Sequence, residues 1–334
     1  MNLLFIDPVC PKPLTIDDLK VGRMGGTEAT LLRVAKALSA RYIVTISQRG
    51  RKERLSQGIT YVPLEDRLIS NPDVVITLRD AKAYRKAIND YPEAKHYLWL
   101  HDVVSGDYQK HLKVCLSGYR VNIIVVSNWH KNQVMNALLS ITFNPFVIYN
   151  PVAEYCTLLA HAALPVPYNP KKLIFTSSPH KGLDQVLEIF QLLRAKDPEF
   201  TLYVANPGYY EDAKNLPEGV IDLNLKHLSH AQLMEEVRSS LCLFYPQTLF
   251  EETFGIVYAE ANAVGTPVLA TNIGAASEVL ELNHQLVPKK VEVILDTVQA
   301  WAKGSRPTVM GNKAFTTQEV IKTWNKLIRF GNIG

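Results

Sequence analysis

The chain has 334 residues, of which 47 % are hydrophobic and 20 % charged. That leaves room for two ordinary domains of about 150 residues each and excludes wholesale disorder. The net charge of +4 decides no partner, but its spread is uneven: residues 1–150 carry 20 Lys and Arg against 13 Asp and Glu, and the remainder 16 against 19. A basic front half beside a mildly acidic back half points to one face that meets an anionic partner.

The start, MNLLFIDPVC, lacks a basic leader and reads as a first strand, Leu3–Ile6, instead of a signal peptide. Gly25-Gly26-Thr27-Glu28 then opens a helix, ATLLRVAKALSA, for which Thr27 is the expected N-cap. Apolar strands follow at Tyr42–Ile46, Val74–Thr77, His96–Leu100, Asn122–Val126 and Phe146–Ile148. The domain boundary is expected at Tyr149-Asn150-Pro151-Val152 and the loop holding Pro165, Pro167 and Pro170. The second half places strands at Lys172–Thr176, Thr201–Ala205, Leu241–Tyr245 and Pro267–Ala270. Its helices are expected at Leu183–Ala195, Ala231–Ser239, Tyr258–Val264, Ala276–Leu280, Val291–Ala302 and Thr317–Phe330. The last is amphipathic, with Val320, Trp324, Leu327 and Ile328 on one stripe, able to pack back on either domain, the N-terminal one included.

Apolar strands alternating with helices predict an α/β protein of two doubly wound Rossmann-like domains, residues 1–150 and 151–315, with 316–334 as a closing helix. Two such domains imply a cleft between them, with ligands bound outside the carboxyl ends of the strands. Cys10, Cys115, Cys156 and Cys242 are scattered, which fits buried thiols in a reducing compartment and neither a metal site nor a disulfide framework. No apolar run reaches the roughly 18 residues that span a bilayer, so a soluble protein is expected, with membrane contact at its surface only.

The most informative stretch is Phe250-Glu251-Glu252-Thr253-Phe254-Gly255-Ile256-Val257-Tyr258-Ala259-Glu260, after a strand and opening a helix. The N–H groups of Thr253, Phe254 and Gly255 sit where a helix N-terminus favours a phosphate. Glu252 and Glu260, flanking it, make sense as acceptors of hydroxyl groups. The same residues also fit an ordinary strand–helix–strand unit with exposed glutamates. With its continuation through Gly274-Ala275-Ala276-Ser277-Glu278, this segment resembles the Glu-x7-Glu region of retaining GT-B glycosyltransferases of the family 4 type. The resemblance implies that Glu252 contacts the donor sugar's hydroxyls and Glu260 the ribose, and that Thr253, Phe254 and Gly255 meet the diphosphate or sugar through their backbone. Gly274 is similar to the start of the family's Gly-Gly-x-x-Glu turn, with Ala275 in place of the second glycine.

Four further constellations follow strands. In Ser178-Pro179-His180-Lys181-Gly182, Lys181 can set a compact positive charge on a departing diphosphate; the family's upstream Arg is missing, which leaves Lys181 alone or with His180 or Arg23. Gly25 and Gly26 permit close backbone approach to a ligand and resemble the family's Gly-Gly-x-Glu loop over the donor, or are a tight turn before a helix. In Trp99-Leu100-His101-Asp102, His101 resembles the family's histidine that reaches the transferred sugar or the acceptor, and Asp102 can orient it or meet an acceptor hydroxyl; the alternatives are a hydrogen-bonded structural histidine and a helix-capping aspartate. The stretch Leu225-Lys226-His227-Leu228-Ser229-His230 resembles the loop that holds the nucleotide base, including Leu228, or is a helix cap at Ser229.

The resemblance implies a hexosyltransferase that moves a hexose from a nucleotide sugar, a UDP-hexose before GDP-mannose, to a hydroxyl of a saccharide or glycolipid. No Asp-x-Asp stands in a suitable loop, so no metal is expected, and cations and backbone donors stabilise the leaving diphosphate. Retention can arise by double displacement on a carboxylate; the family implies front-face attack, with the leaving phosphate helping to deprotonate the acceptor. Two rivals are a nucleic-acid-modifying glucosyltransferase, against which the basic residues are dispersed, and a non-catalytic nucleotide-sugar-binding protein. A cytoplasmic place, at a membrane surface if the basic domain meets lipid, completes the expectation. Arg49, Arg51, Lys52, Arg54, Arg79, Lys82, Arg85 and Lys86 mark that domain as the candidate contact for an anionic acceptor.

Overall fold

The structure is a computed structural model, and it describes residues 1–20, 24–64, 71–157, 167–206, 216–281 and 283–332. From the N-terminus its elements are β1 (Asn2–Asp7), α1 (Gly26–Leu38), β2 (Ile43–Gln48), β3 (Arg54–Ser56), β4 (Ile59–Pro63), β5 (Val74–Leu78), α2 (Ala81–Asp90), β6 (Lys95–Trp99), α3 (Gly106–Leu116), β7 (Val121–Val125), α4 (Asn128–Ala137) and β8 (Phe143–Val147). There follow β9 (Asn169–Phe175), α5 (Leu183–Lys196), β10 (Thr201–Val204), β11 (Val220–Asp222), α6 (His230–Arg238), β12 (Ser240–Tyr245), α7 (Ile256–Ala263), β13 (Val268–Thr271), α8 (Ala276–Val279), β14 (Leu286–Val287), α9 (Val291–Ala300) and α10 (Thr317–Phe330).

Among the described residues, the strands form one sheet in the order β3-β4-β2-β1-β5-β6-β7-β8 and a second in the order β11-β10-β9-β12-β13-β14. All pairings are parallel except β3 with β4. The central strands are apolar on both faces, as buried parallel strands must be: every residue of β5 and β12 is buried. In each sheet the chain reverses its direction of winding beside the first strand, between β1 and β5 and between β9 and β12. Such a reversal parts the loops at the carboxyl ends and leaves room for a ligand. The loops that follow β1, β5, β9 and β12 are therefore the ones to inspect.

The chain divides into two compact units, Met1–Asp17 with Thr27–Pro151 and Thr317–Gly334, and Asp18–Gly26 with Val152–Thr316. Helix α10 belongs to the first unit: Trp324 is fully buried, edge-on to Trp99 at 4.8 Å and to Phe5 at 6.3 Å between ring centroids. Tyr42 donates from its hydroxyl to Asn325 Oδ1 at 2.8 Å. The four cysteines are free thiols and buried. Among the described residues no helix is long and apolar enough to cross a membrane. Two local expectations change. Helix α1 begins at Gly26, so Thr27 lies inside its first turn and is not the N-cap. The short strands β3, β4, β11 and β14 carry no apolar run that the sequence pattern marks.

Candidate active site

Strand β9 runs into Ser177-Ser178 and a single turn of tight helix, Pro179–Lys181, and its neighbour β12 runs into the loop 246–255. Parallel neighbours deliver their following loops side by side. Here that brings Lys181 to Glu252: the ammonium Nζ lies 2.9 Å from Oε1 and 3.0 Å from Oε2. The pair is largely buried, with side-chain exposures of 20 % and 10 %. Lys181 also lies 4.5 Å from the centre of the Phe250 ring. Tyr245, the last residue of β12, donates from its hydroxyl to Glu252 Oε1 at 3.0 Å. Burial first, and then the Glu252 charge, push the Tyr245 phenol well above its ordinary range, so it stays a donor.

The glycines of these loops are fixed by what they press against. Gly182 has φ +88° and a Cβ there would come within 2.7 Å of Gln247 Cβ; Gly255 has φ +76° and would meet the Tyr258 ring at 2.5 Å. Gln247 is fully buried and staples its own loop, accepting from Leu249 N and Phe250 N at 2.8 Å and donating to Phe250 O at 2.8 Å. Gly274 has φ +58°, and a Cβ would fall 2.6 Å from Glu252 O and 2.8 Å from Glu252 N. Its neighbour Ala275 donates to Glu252 O at 2.9 Å. The turn thus buttresses the Glu252 backbone, and this packing by itself demands glycine at 274. Phe254 is buried, edge-on to Phe315 at 5.0 Å, and Thr253 is half-buried. Gly25 is buried, and a Cβ on Gly26 would come 3.1 Å from Ile256 Cγ2 in the same unit. Arg23 lies outside the described residues.

Glu260, a little over one turn into α7, is paired elsewhere. Its side chain is 5 % exposed, and His230 Nε2 stands 3.3 Å from each carboxylate oxygen. His230 Nδ1 in turn is hydrogen-bonded by the Tyr155 hydroxyl. Ser229 caps α6 in a reciprocal capping box with Gln232, and Leu228 beside it is half-buried. Glu252 and Glu260 therefore have separate cationic or donor partners, of which sequence reasoning named Lys181 but not the role of His230 or Tyr155.

In the first unit His101 is 7 % exposed and its ring lies 4.7 Å from that of Trp99. Burial, then the charge of Arg79, then His130 hold His101 well below the ordinary imidazole range, so it is neutral. Asp102 is exposed, and its carbonyl accepts from His130 Nε2 at 3.0 Å. Ser105, not Asp102, is the N-cap residue of α3. Arg79, directly after β5, was counted only as surface charge. It is instead a buried centre: its guanidinium lies 2.9 Å from Glu28 and 3.8 Å from Asp7. Its backbone takes φ +59°, donates to Trp99 O at 2.9 Å and accepts from Tyr108 Oη at 2.7 Å. A bulky residue held in the left-handed region between such bonds is a common mark of a functional strand end. Its position, a charge at the carboxyl end of a strand beside the winding reversal, was the available signal.

The presumed basic face is partly taken up. Arg51 donates to Leu14 O at 2.7 Å and covers the Tyr61 ring, Arg54 pairs with Asp17, Arg85 covers Tyr119 and Lys86 pairs with Asp90. Arg49, Lys52 and Lys82 are exposed. Among the described residues no group of three or more His, Cys, Asp or Glu side chains is placed to hold a metal ion.

With this geometry in view, comparison with known proteins is specific for the second unit. Residues 161–315 match the family model of glycosyl transferases group 1. That segment contains Lys181, Leu228, Glu252, Glu260 and Gly274, and leaves out Gly25, Gly26, His101 and Asp102. A D-inositol 3-phosphate glycosyltransferase of Arthrobacter sp. (strain FB24) is 30 % identical over 139 residues, which cover 36 % of this chain and 31 % of that protein. The match thus spans about a third of that relative's length. Whole-chain likeness is found among solved structures. A sucrose-phosphate synthase from Thermosynechococcus elongatus matches with a TM-score of 0.67 at 14 % identity, covering 98 % of both chains. A glycosyltransferase from Rickettsia africae ESF-5 gives 0.67 at 16 % identity, over 98 % of this chain and 97 % of that one. Anabaena HepE, solved with UDP-glucose, gives 0.62 at 18 % identity, over 98 % and 99 %. These likenesses show the fold: two Rossmann-like α/β units, as in these solved structures.

Proposed function

We propose that this protein is a hexosyltransferase that moves a hexose from a nucleotide sugar to a hydroxyl of a saccharide or glycolipid acceptor. The observation that carries the reading is the Lys181–Glu252 pair, buried at the ends of two neighbouring strands inside the segment that matches glycosyl transferases group 1. On this reading the donor diphosphate lies at Lys181, whose ammonium stabilises the charge gained as the glycosidic bond breaks. Glu252 turns its lone pairs to the sugar hydroxyls, and the Tyr245 hydroxyl holds it when Lys181 shifts toward phosphate. The backbone of Thr253, Phe254 and Gly255 adds donors, Leu228 packs near the base, and Glu260 takes the ribose. Transfer with retention, by front-face attack and without a metal, is part of the proposal. A UDP-hexose is favoured because HepE, a fold neighbour, was solved with UDP-glucose.

For the acceptor, the first unit offers neutral His101 and exposed Asp102. Exposed Arg49, Lys52 and Lys82 suit an anionic acceptor or lipid surface. Four buried free thiols suit the cytoplasm. The test is a thermal-shift panel of UDP, GDP and their hexose conjugates, followed by donor hydrolysis without acceptor. Binding stabilises the native state by mass action, about 2.7 kcal/mol at a hundredfold excess over Kd. If no nucleotide raises the melting temperature, the donor-site assignment fails. A covalent glycosyl group trapped on Glu252 would replace front-face attack by double displacement.

A further inference from the structure

A cavity of about 430 Å³ opens at the amino ends of β6 and β7, the opposite end of the first unit's sheet from Arg79 and His101. Its size falls within the range of about 300–1,000 Å³ that small-molecule sites occupy. Buried Tyr84, His96 and Tyr97 line it together with exposed Lys95 and Arg120. His96 is 9 % exposed, and its Nε2 lies 2.8 Å from the Tyr91 carbonyl. A carbonyl only accepts, so Nε2 carries the hydrogen and Nδ1 is a bare acceptor. That Nδ1 is buried and has no hydrogen-bond partner among the described residues. Burial holds the imidazole below its ordinary range, against the pull of the Tyr91 carbonyl, so the ring is neutral and Nδ1 keeps its lone pair. A buried acceptor without a donor is rare in folded proteins, and a ligand hydroxyl is one way to supply it. Two phenols stand close by. The Tyr84 ring is edge-on to His96 at 6.3 Å, its oxygen takes the backbone N–H of Asn122, and burial raises it to about 12, so its proton is left to give. Burial raises the Tyr97 phenol too, and its hydroxyl has no hydrogen-bond partner among the described residues. Lys95 opens β6 and Arg120 directly precedes its neighbour β7; among the described residues neither side chain has an ion-pair partner.

We propose that this cavity is a second small-molecule site, and that it takes a sugar or polyol carrying one phosphate group. His96 Nδ1 accepts from a ligand hydroxyl, and the Tyr84 and Tyr97 hydroxyls donate to the ligand's oxygens. Lys95 and Arg120 meet the phosphate, which carries close to two negative charges at neutral pH. A neutral polyol would leave both cations unused, and a bare phosphate would leave most of the cavity empty. The site lies away from the strand ends that carry the proposed transfer chemistry, so it stands or falls independently of that reading.

The test is calorimetric titration of the full chain with glucose 6-phosphate, mannose 6-phosphate, glycerol 3-phosphate and inositol 1-phosphate, beside glucose and inorganic phosphate. At least one of the esters is expected to bind about tenfold or more tightly than glucose or phosphate does. Lys95→Ala and Arg120→Ala, both at exposed positions, should each weaken that ester about tenfold and leave the unfolding midpoint unchanged. Tyr97→Phe and His96→Phe, which keep a ring and remove the polar atom, should weaken it by about the same factor. Lys181→Met, in the other unit, should leave its affinity unchanged. The inference is overturned if none of the esters binds, or if Lys95→Ala and Arg120→Ala bind the ester as the wild type does. Binding that is lost in Lys181→Met also overturns it, since the ester then sits at the proposed donor site. Unfolding midpoints without ligand show that the His96 and Tyr97 variants are folded.

Discussion

Lys181 Nζ sits between both oxygens of Glu252, at 2.9 and 3.0 Å, so the cation proposed for the leaving group and the carboxylate proposed for the sugar neutralise one another. Removing either partner therefore has two separable effects. Lys181→Met leaves a buried carboxylate with Tyr245 as its named partner, and it should destabilise the fold by about 3 kcal/mol and lower turnover by at least a hundredfold. Glu252→Gln keeps an acceptor for Tyr245 but removes the counter-charge of the more exposed Lys181, so it should cost less stability, about 1–2 kcal/mol, while turnover falls. Urea unfolding beside steady-state kinetics reads both; full turnover in Lys181→Met would contradict its role.

Gly274→Ala puts a methyl group into the backbone of Glu252 and strains a left-handed residue. A loss of about 1–3 kcal/mol in stability is expected, together with weaker nucleotide binding, because the displaced chain is Glu252 itself. Gly304 has φ +109° with nothing within 4 Å of its Cβ position, so Gly304→Ala carries backbone strain alone and serves as the control. Comparable loss of nucleotide binding in both variants would count against a local effect on Glu252.

Arg79 holds two buried carboxylates, and its loss should be felt more at neutral than at acid pH. Burial raises Asp7 above its ordinary 3.8, and Arg79 is the main influence that lowers it. A raised folded-state value means that stability is fully present below 3.8 and falls as pH rises through the folded value. In Arg79→Met that fall is steeper, so the destabilisation is expected to reach about 3 kcal/mol at pH 7 and to be much smaller at pH 4. Unfolding free energies measured across this range decide it; a pH-independent loss would be against it.

His130 gives the opposite slope. Burial pushes it down to about 4 from 6.5, against the pull of its bond to Asp102 O. The folded state therefore prefers the neutral ring, and stability is lost as pH falls from 6.5 toward 4, by about 3 kcal/mol at most. His130→Gln cannot take up that proton and should flatten the acid limb of the stability profile. An unchanged acid limb would assign it to other groups.

Charge reversal separates fold from acceptor on the basic face. Arg51→Glu removes a bond to Leu14 O and a contact with Tyr61, and should cost about 1–2 kcal/mol of stability. Arg49→Glu with Lys52→Glu, both exposed, should leave stability unchanged and lower the rate with an anionic acceptor several-fold, less so at high salt. A matching rise in donor KM would argue against an acceptor role.

The parts of this molecule that could be read from sequence are those whose meaning is local. Apolar runs such as Leu241–Tyr245 name a buried strand by themselves, and Lys181, Glu252 and Glu260 stand in ordered motifs. Strand β4, Ile59–Pro63, was invisible because its alternation is brief and its partner β3 is three residues long. Arg79 looked like one more surface cation, since nothing nearby in sequence reveals that Asp7 and Glu28 close on it. Gln247, Tyr155 and His230 escaped for the same reason: a polar residue's partner is chosen by the fold, and composition or period carries no trace of it.

Trp324 fills the interior beside Phe5 and Trp99, although more than two hundred residues separate it from either in the chain. The first unit to leave the ribosome is thus the last to be finished. Until Thr317–Phe330 has been synthesised, two large aromatic rings on β1 and β6 lack the cover of Trp324, and the nascent domain waits with an open hydrophobic wound while Val152–Thr316 is made. Arresting translation shortly before Thr317 should yield a nascent chain bound by holdase chaperones, and release should follow when the closing helix emerges.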